Sequence, residues 1–222
     1  MFLTAGRCLL LVSRYSRINE MTTIVFIIDD DASVRRSLSL LLAAHGYVVE
    51  TYSSAEEYLE REMHNGTGCL ILDVNLEGKS GMALQEELKK FETHLPIIFI
   101  TGSGNVHMSV ETIRKGAINF LEKPFEEEEL LDSVSEAIQL SQELKEQQDK
   151  SRIAKKLIDT LTPREIEILK YVITGMLNKQ TAGKLRIAEH TVQLHKLNIT
   201  NKLGVKSIPE MITIARNAGI AL

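Results

Sequence analysis

Thr23-Ile24-Val25-Phe26-Ile27-Ile28, followed by Asp29-Asp30-Asp31, is the stretch on which the reading of this chain turns. Six consecutive β-branched or aromatic residues leave no polar face for water. Such a run reads as a strand buried on both sides, the condition of strands in a parallel sheet covered by helices. The three aspartates stand at its carboxyl end, where open α/β sheets place their ligands.

Working outward, the pattern repeats. Residues 48–52, 69–72, 97–101 and 119–121 read as four further short strands. Between them, residues 33–44, 54–62, 82–91 and 106–115 carry apolar side chains at helical spacing. Ser54 and Glu57 have the spacing of a capping box. A further helix starts at residue 126 and runs to about 148. Strands alternating with helices predict an α/β fold, a five-stranded doubly wound parallel sheet of the flavodoxin-like kind.

Residues 141–156 are polar, and no strand pattern follows them. Thr162-Pro163-Arg164-Glu165 carries three helix-start signals: a capping hydroxyl, proline in the first turn, and a glutamate three residues on. Helices are predicted from there to Gly175, over 179–185 with Asn178 as cap, over 189–203, and over 208–218 capped by Ser207. The middle pair, joined by a tight turn, predicts an all-α four-helix domain with a helix-turn-helix. The expected organisation is an N-terminal extension (1–21), an α/β domain (22–142), a linker helix (143–157) and the helical domain (158–222).

Composition agrees with two folded domains. The 222 residues are 44% hydrophobic and 25% charged, which excludes a wholly disordered or low-complexity chain. Two cysteines, Cys8 and Cys69, cannot build a disulfide scaffold or a four-ligand zinc site. Cys69 lies in an apolar run and reads as a buried thiol in a reducing compartment. The net charge of −4 conceals −13 over residues 21–150 and +7 over residues 151–222. That asymmetry points to different partners, with nucleic acid suggested for the basic part. Residues 1–20 have an apolar run of five, shorter than a signal-peptide core, and Met21 opens directly onto the first strand pattern. The first twenty residues are therefore expected to be an upstream extension, disordered or absent from the cellular protein.

The polar residues after the strands converge in such a fold although 94 residues separate the first from the last. Asp29-Asp30-Asp31 follow the first strand, Asp73 follows the third, Thr101 ends the fourth, and Lys123 follows the fifth. Clustered carboxylates repel one another and call for a hard cation with oxygen ligands, typically Mg2+. A lysine and a hydroxyl beside them can neutralise a phosphoryl group carried by a carboxylate.

Ile27-Ile28-Asp29-Asp30, Leu72-Asp73-Val74, Phe99-Ile100-Thr101-Gly102 and Phe120-Leu121-Glu122-Lys123-Pro124-Phe125 resemble the signatures of a two-component response-regulator receiver domain. The resemblance covers about residues 22–142. It implies that Asp73 accepts a phosphoryl group from a phosphohistidine of a sensor histidine kinase. It implies Mg2+ held by Asp29, Asp30, Asp73 and the backbone carbonyl of Asn75. Val34-Arg35 then falls at the family's usual offset from the acidic pair. Lys123 would contact the phosphoryl oxygens, and the Lys123–Pro124 bond would be cis. Thr101 and Phe120 match the residues that switch together on phosphorylation, and Asn75 and Ser103 the positions that tune hydrolysis. The usual Met-Pro of the following loop is Leu76-Glu77 here. Such a receiver is not an enzyme beyond promoting its own phosphorylation and dephosphorylation.

Leu161-Thr162-Pro163-Arg164-Glu165, Asn178-Lys179-Gln180 and the segment Thr191 to Ile199 resemble a LuxR-type helix-turn-helix. Its pairing with a receiver is the NarL/FixJ arrangement, and regulators of styrene and toluene catabolism look most similar. Arg186 and Ala188 replace a common turn glycine and a common capping serine, and Gln193 a frequent lysine. By spacing, Val192, Ile199 and Leu203 form the core stripe of the third helix, with Gln193, Leu194, Leu197, Thr200 and Asn201 roughly opposite. Glutamine suits adenine, and leucine a thymine methyl. Lys179, Lys184, Lys196 and Lys202 are candidate phosphate contacts. Together with Thr191 and Asn198, these are the expected DNA-binding residues.

The resemblance implies a cytoplasmic bacterial transcription regulator that dimerises on phosphorylation and engages promoter DNA and RNA polymerase, without a membrane partner. A second reading fits part of the residues: a haloacid-dehalogenase-like phosphohydrolase using Asp29 and Asp31, which gives Asp73 and the basic part no role. A third is a receiver acting through protein contacts alone.

Overall fold

The computed structural model describes residues 23–62, 64–91, 95–102 and 116–220. Five strands, β1 (Ile24–Ile28), β2 (Val48–Tyr52), β3 (Gly68–Asp73), β4 (Ile97–Thr101) and β5 (Asn119–Glu122), form one sheet in the order β2-β1-β3-β4-β5. Every pairing is parallel. The central strands β1, β3 and β4 are buried along their whole length, as their continuous apolar runs require.

Side chains alternate across the sheet and build two apolar layers. Phe26, Leu70, Leu72 and Phe99 pack with Tyr58 of α2 (Ala55–Glu60) and Leu84 of α3 (Gly81–Leu88). Val25, Ile27, Ile71, Ile98 and Ile100 pack with Leu38 and Leu42 of α1 (Ala32–Ala44) and Leu130 and Val134 of α4 (Glu127–Ile158). Cys69 lies free in that second layer, and burial pushes its thiol up to about 12. Register sets the carboxyl ends level: Ile28 lies opposite Leu72, Asp73 opposite Ile100, and Thr101 opposite Glu122. Asp29, directly after β1, and Asp73, the last residue of β3, therefore emerge side by side.

The chain falls into two units, Met1–Lys145 and Glu146–Leu222. In the second, α5 (Pro163–Ile173), α6 (Asn178–Leu185), α7 (Glu189–Leu203) and α8 (Ile208–Asn217) enclose Ile168, Leu169, Val172, Val192, Ile199, Leu203, Met211 and Ala215. The capping box of α5 is complete. Thr162 Oγ accepts from the Glu165 N–H, and the Glu165 carboxylate accepts from the Thr162 N–H at 2.8 Å.

Four local expectations are revised. The helix expected to about 148 and the linker helix expected over 143–157 are one continuous helix that runs ten residues past 148 to Ile158, with Ala154 and Ile158, four residues apart, both buried. Ser54 caps α2, but Glu57 reaches back to Ser53 rather than to Ser54. The segment expected as one helix over 82–91 is an α-helix to Leu88 that tightens into a 3-10 turn over Lys89–Phe91. Asn178 is the first residue of α6 rather than its cap, and Gln180 accepts from the Leu177 N–H in front of it. The expected helix over 106–115, Ser103, Cys8 and the N-terminal extension lie outside the described residues.

Candidate functional site

The loop after β1 holds its carboxylates by hydrogen bonds within one turn. Asp31 caps α1, its carboxylate accepting from the N–H and hydroxyl of Ser33 at 2.7 and 2.6 Å. These bonds, the side-chain one foremost, hold the Asp31 carboxyl below its ordinary value. Asp29 is fully buried and accepts from the Asp31 N–H at 2.9 Å. Arg35, one turn into α1, donates to the backbone carbonyls of Asp29 and Asp30 at 2.6 and 3.0 Å. The sequence showed Arg35 only as a landmark of spacing. Its place four residues after the cap is the signal that it reaches back over the loop.

Level with this loop, Asp73 ends β3. Oxygen atoms of Asp29, Asp30 and Asp73 lie within 4.8 Å of one another. Lys123, after β5, donates to Asp29 at 2.7 Å, and its ammonium stands 3.9 Å from Asp73 Oδ2. Asp73 Oδ1 is buried without a hydrogen-bond partner. Burial raises the Asp73 carboxyl above its ordinary value, Lys123 opposes the rise, and Asp29 and Asp30 add to it. An orphaned carboxylate oxygen beside two further carboxylates is a donor set that suits a hard divalent cation.

Two backbone contacts frame the cluster. The start of α3 lies so close to β3 that a Cβ on Gly81 would stand 2.2 Å from the Asp73 carbonyl oxygen. The Lys123 N–H donates to the Thr101 carbonyl at 2.7 Å, and the Lys123–Pro124 bond is cis. Thr101 is fully buried, and its hydroxyl accepts from the exposed Asn75 amide at 3.4 Å. Phe120 is half-buried against the layer containing Phe99, its register partner, and so shares a sheet face with Thr101.

In the second unit, Val192, Ile199 and Leu203 are buried, which turns the opposite side of α7 outward. There Gln193 and Asn201 are exposed, Leu194 and Leu197 keep 51% and 57% of their surface, and Thr200 is half-buried. Lys179 and Lys184 are exposed, while Thr191, Lys196 and Asn198 are half-buried. The Lys202 ammonium is held by the buried Glu165 carboxylate at 2.7 Å. His195, not singled out from the sequence, keeps a buried Nδ1 without a hydrogen-bond partner. The α6–α7 turn places Arg186 in the left-handed region at φ 51° and ψ 46°, and Ala188 begins α7 without a side-chain cap.

Comparison with known proteins follows the same division. Residues 25–135 match the response regulator receiver domain, and residues 159–215 match the bacterial regulatory proteins of the luxR family. The chain is 41% identical to Nodulation protein W of Bradyrhizobium diazoefficiens, over 89% of this chain and 87% of that one. It is 39% identical to the response regulator protein TodT of Pseudomonas putida, over 88% and 86% of the two chains. Among solved structures, response regulator StyR superposes with a TM-score of 0.77 at 41% identity, covering 88% of this chain and 98% of that one.

Proposed function

The chain belongs to the bacterial response regulators that join a receiver domain to a luxR-family DNA-binding domain, and from this membership we propose that Asp73 is its one phosphoryl acceptor. The family consists of transcription regulators rather than enzymes. The phosphohydrolase reading is not supported: both domain matches speak against it, and Asp31, which it needs as a reacting carboxylate, caps α1.

The observation that carries the proposal is the cluster itself. Three carboxylates lie within 4.8 Å, and Lys123 stands 2.7 Å from Asp29 and 3.9 Å from Asp73. Asp29, Asp30, Asp73 and the Asn75 carbonyl would hold Mg2+, which when bound supplies positive charge to the phosphoryl oxygens. The Asp73 carboxylate forms an O–P bond with the phosphoryl group of a kinase phosphohistidine. The P–N bond breaks, and the imidazole nitrogen keeps the electron pair. Lys123 faces the transferred oxygens and compensates their charge. Thr101 and Phe120, on one sheet face, then carry the change to the receiver surface.

The domain boundaries that accompany this reading are 22–142, 143–157 and 158–222. The partners are a sensor histidine kinase, promoter DNA and RNA polymerase, with a homodimer formed on phosphorylation and the cytoplasm as its place. Among the described residues no helix is long and apolar enough to cross a membrane. The test is labelling by acetyl phosphate in the presence of Mg2+. The native chain takes up label and Asp73→Asn takes up none. Undiminished labelling of Asp73→Asn overturns the assignment.

A further inference from the structure

The outward face of α7 is unusual for a surface meant to meet DNA, because it carries neither lysine nor arginine. On a helix of 3.6 residues per turn, His190, Gln193, Leu194, Leu197 and Asn201 fall in one arc of about 100°, opposite the buried Val192, Ile199 and Leu203. All five are exposed. The lysines of α7 stand elsewhere: Lys196 is half-buried toward the core side, and Lys202 is held by Glu165.

We infer that this face reads A·T base pairs, with Leu194 and Leu197 packed on thymine methyl groups and the Gln193 amide on adenine. The inference deepens the proposed function and rests on the luxR-family unit binding DNA. The commonest specific contact to guanine is a bidentate Arg or Lys on O6 and N7, and this arc has neither residue. Two leucines at positions i and i+3 offer no hydrogen bond to any base edge. The one major-groove group that rewards an apolar side chain is the C5 methyl of thymine, while the amide of glutamine pairs with adenine N6 and N7. The excess of positive charge over residues 151–222, with Lys179 and Lys184 exposed, supplies the phosphate attraction that the arc lacks. The electrostatic and base-reading parts of the surface are thus separate.

The test uses the full chain, before and after treatment with acetyl phosphate and Mg2+. Bound sequences are first selected from a randomised duplex library. Each selected duplex is then remade with deoxyuridine in place of thymidine, which deletes the methyl and keeps every hydrogen-bonding group. The expected half-sites carry A·T pairs at the positions facing α7. Loss of one buried methyl weakens binding about 3- to 10-fold, and the Leu194→Ala/Leu197→Ala variant is indifferent to the replacement. Half-sites of G·C pairs only, or deoxyuridine duplexes bound as tightly as the originals, overturn the inference while leaving specific DNA binding intact. A double variant that keeps native affinity and sequence preference also overturns it, and marks the leucines as a protein-docking surface. If the native chain selects no sequence at all, the DNA-binding part of the proposed function fails with it.

Discussion

Lys202, in the last turn of α7, donates a 2.7 Å hydrogen bond to the buried carboxylate of Glu165, 37 residues earlier in the first turn of α5. The same carboxylate closes the capping box with Thr162. One charge therefore fastens the start of one helix to the end of another. A lysine whose type and position suggested a phosphate contact is also part of the domain's framework.

This pair predicts a pH dependence. The Lys202 hydrogen bond, with the Thr162 bonds, holds the Glu165 carboxyl below its ordinary value. A carboxyl depressed in the folded state stabilises fully above its unfolded value, and the contribution disappears as pH falls through the folded value. Native chain and Glu165→Gln should differ by roughly 1 kcal/mol in urea unfolding of the second unit at pH 7. The gap should close in acid, below the ordinary carboxyl range. A gap that persists there would mean that Glu165 acts through packing alone.

Lys179 and Lys202 should separate on measurement. Lys179 is exposed on α6, so Lys179→Ala should leave the melting temperature unchanged. It should weaken binding to every duplex alike and lower the salt slope by about 1. Lys202→Ala leaves Glu165 buried without its cation and should also lower the melting temperature. Equal melting of the two variants would show that the Glu165 contact adds nothing to the fold.

The α6–α7 turn offers a gain in stability. Arg186 is the one non-glycine residue with positive φ among those described. The left-handed conformation costs an L-residue roughly 1 kcal/mol, of which the greater freedom of glycine in the unfolded chain takes back part. Arg186→Gly should stabilise the second unit by about 0.5 kcal/mol, read as a rise in unfolding midpoint. A fall in midpoint would show that the arginine side chain holds the turn.

Gly81→Ala should damage the acidic cluster from behind. Its Cβ would stand 2.2 Å from the Asp73 carbonyl oxygen and 3.1 Å from Leu72 Cγ. Backbone must move, at a cost of about 2 kcal/mol, and Asp73 moves with it. Slower labelling by acetyl phosphate together with a lower melting temperature is expected. Native labelling with native stability would mean that α3 shifts freely.

Much of this is legible in the amino-acid sequence. Continuous apolar runs dictated β1, β3 and β4 because a strand buried on both faces tolerates little polarity, and β2 and β4 kept their expected bounds. The stripe of Val192, Ile199 and Leu203 fixed the outward face of α7 by period alone. Asp29, Asp73 and Lys123 were candidates because a parallel sheet gathers the residues after its strands at one edge. Less legible was the division of the aspartate triplet. Three identical residues in a row carry the same chemistry; the family resemblance singled out Asp29 and Asp30, and the structure adds that Asp31 turns to Ser33 and caps α1.

What the amino-acid order determined by itself, then, is whatever depends on local period and residue type: the strands, most helix limits, the two-unit plan, and which residues can reach the acidic cluster. What the tertiary structure alone decided are relations between groups far apart in the chain. These are the claim of Glu165 on Lys202 and the 2.2 Å approach of Gly81 to Asp73. No local signal encodes them, because each depends on which surfaces two packed elements present to one another. A charge chooses its partner by distance, and that distance is set only when the helices have packed.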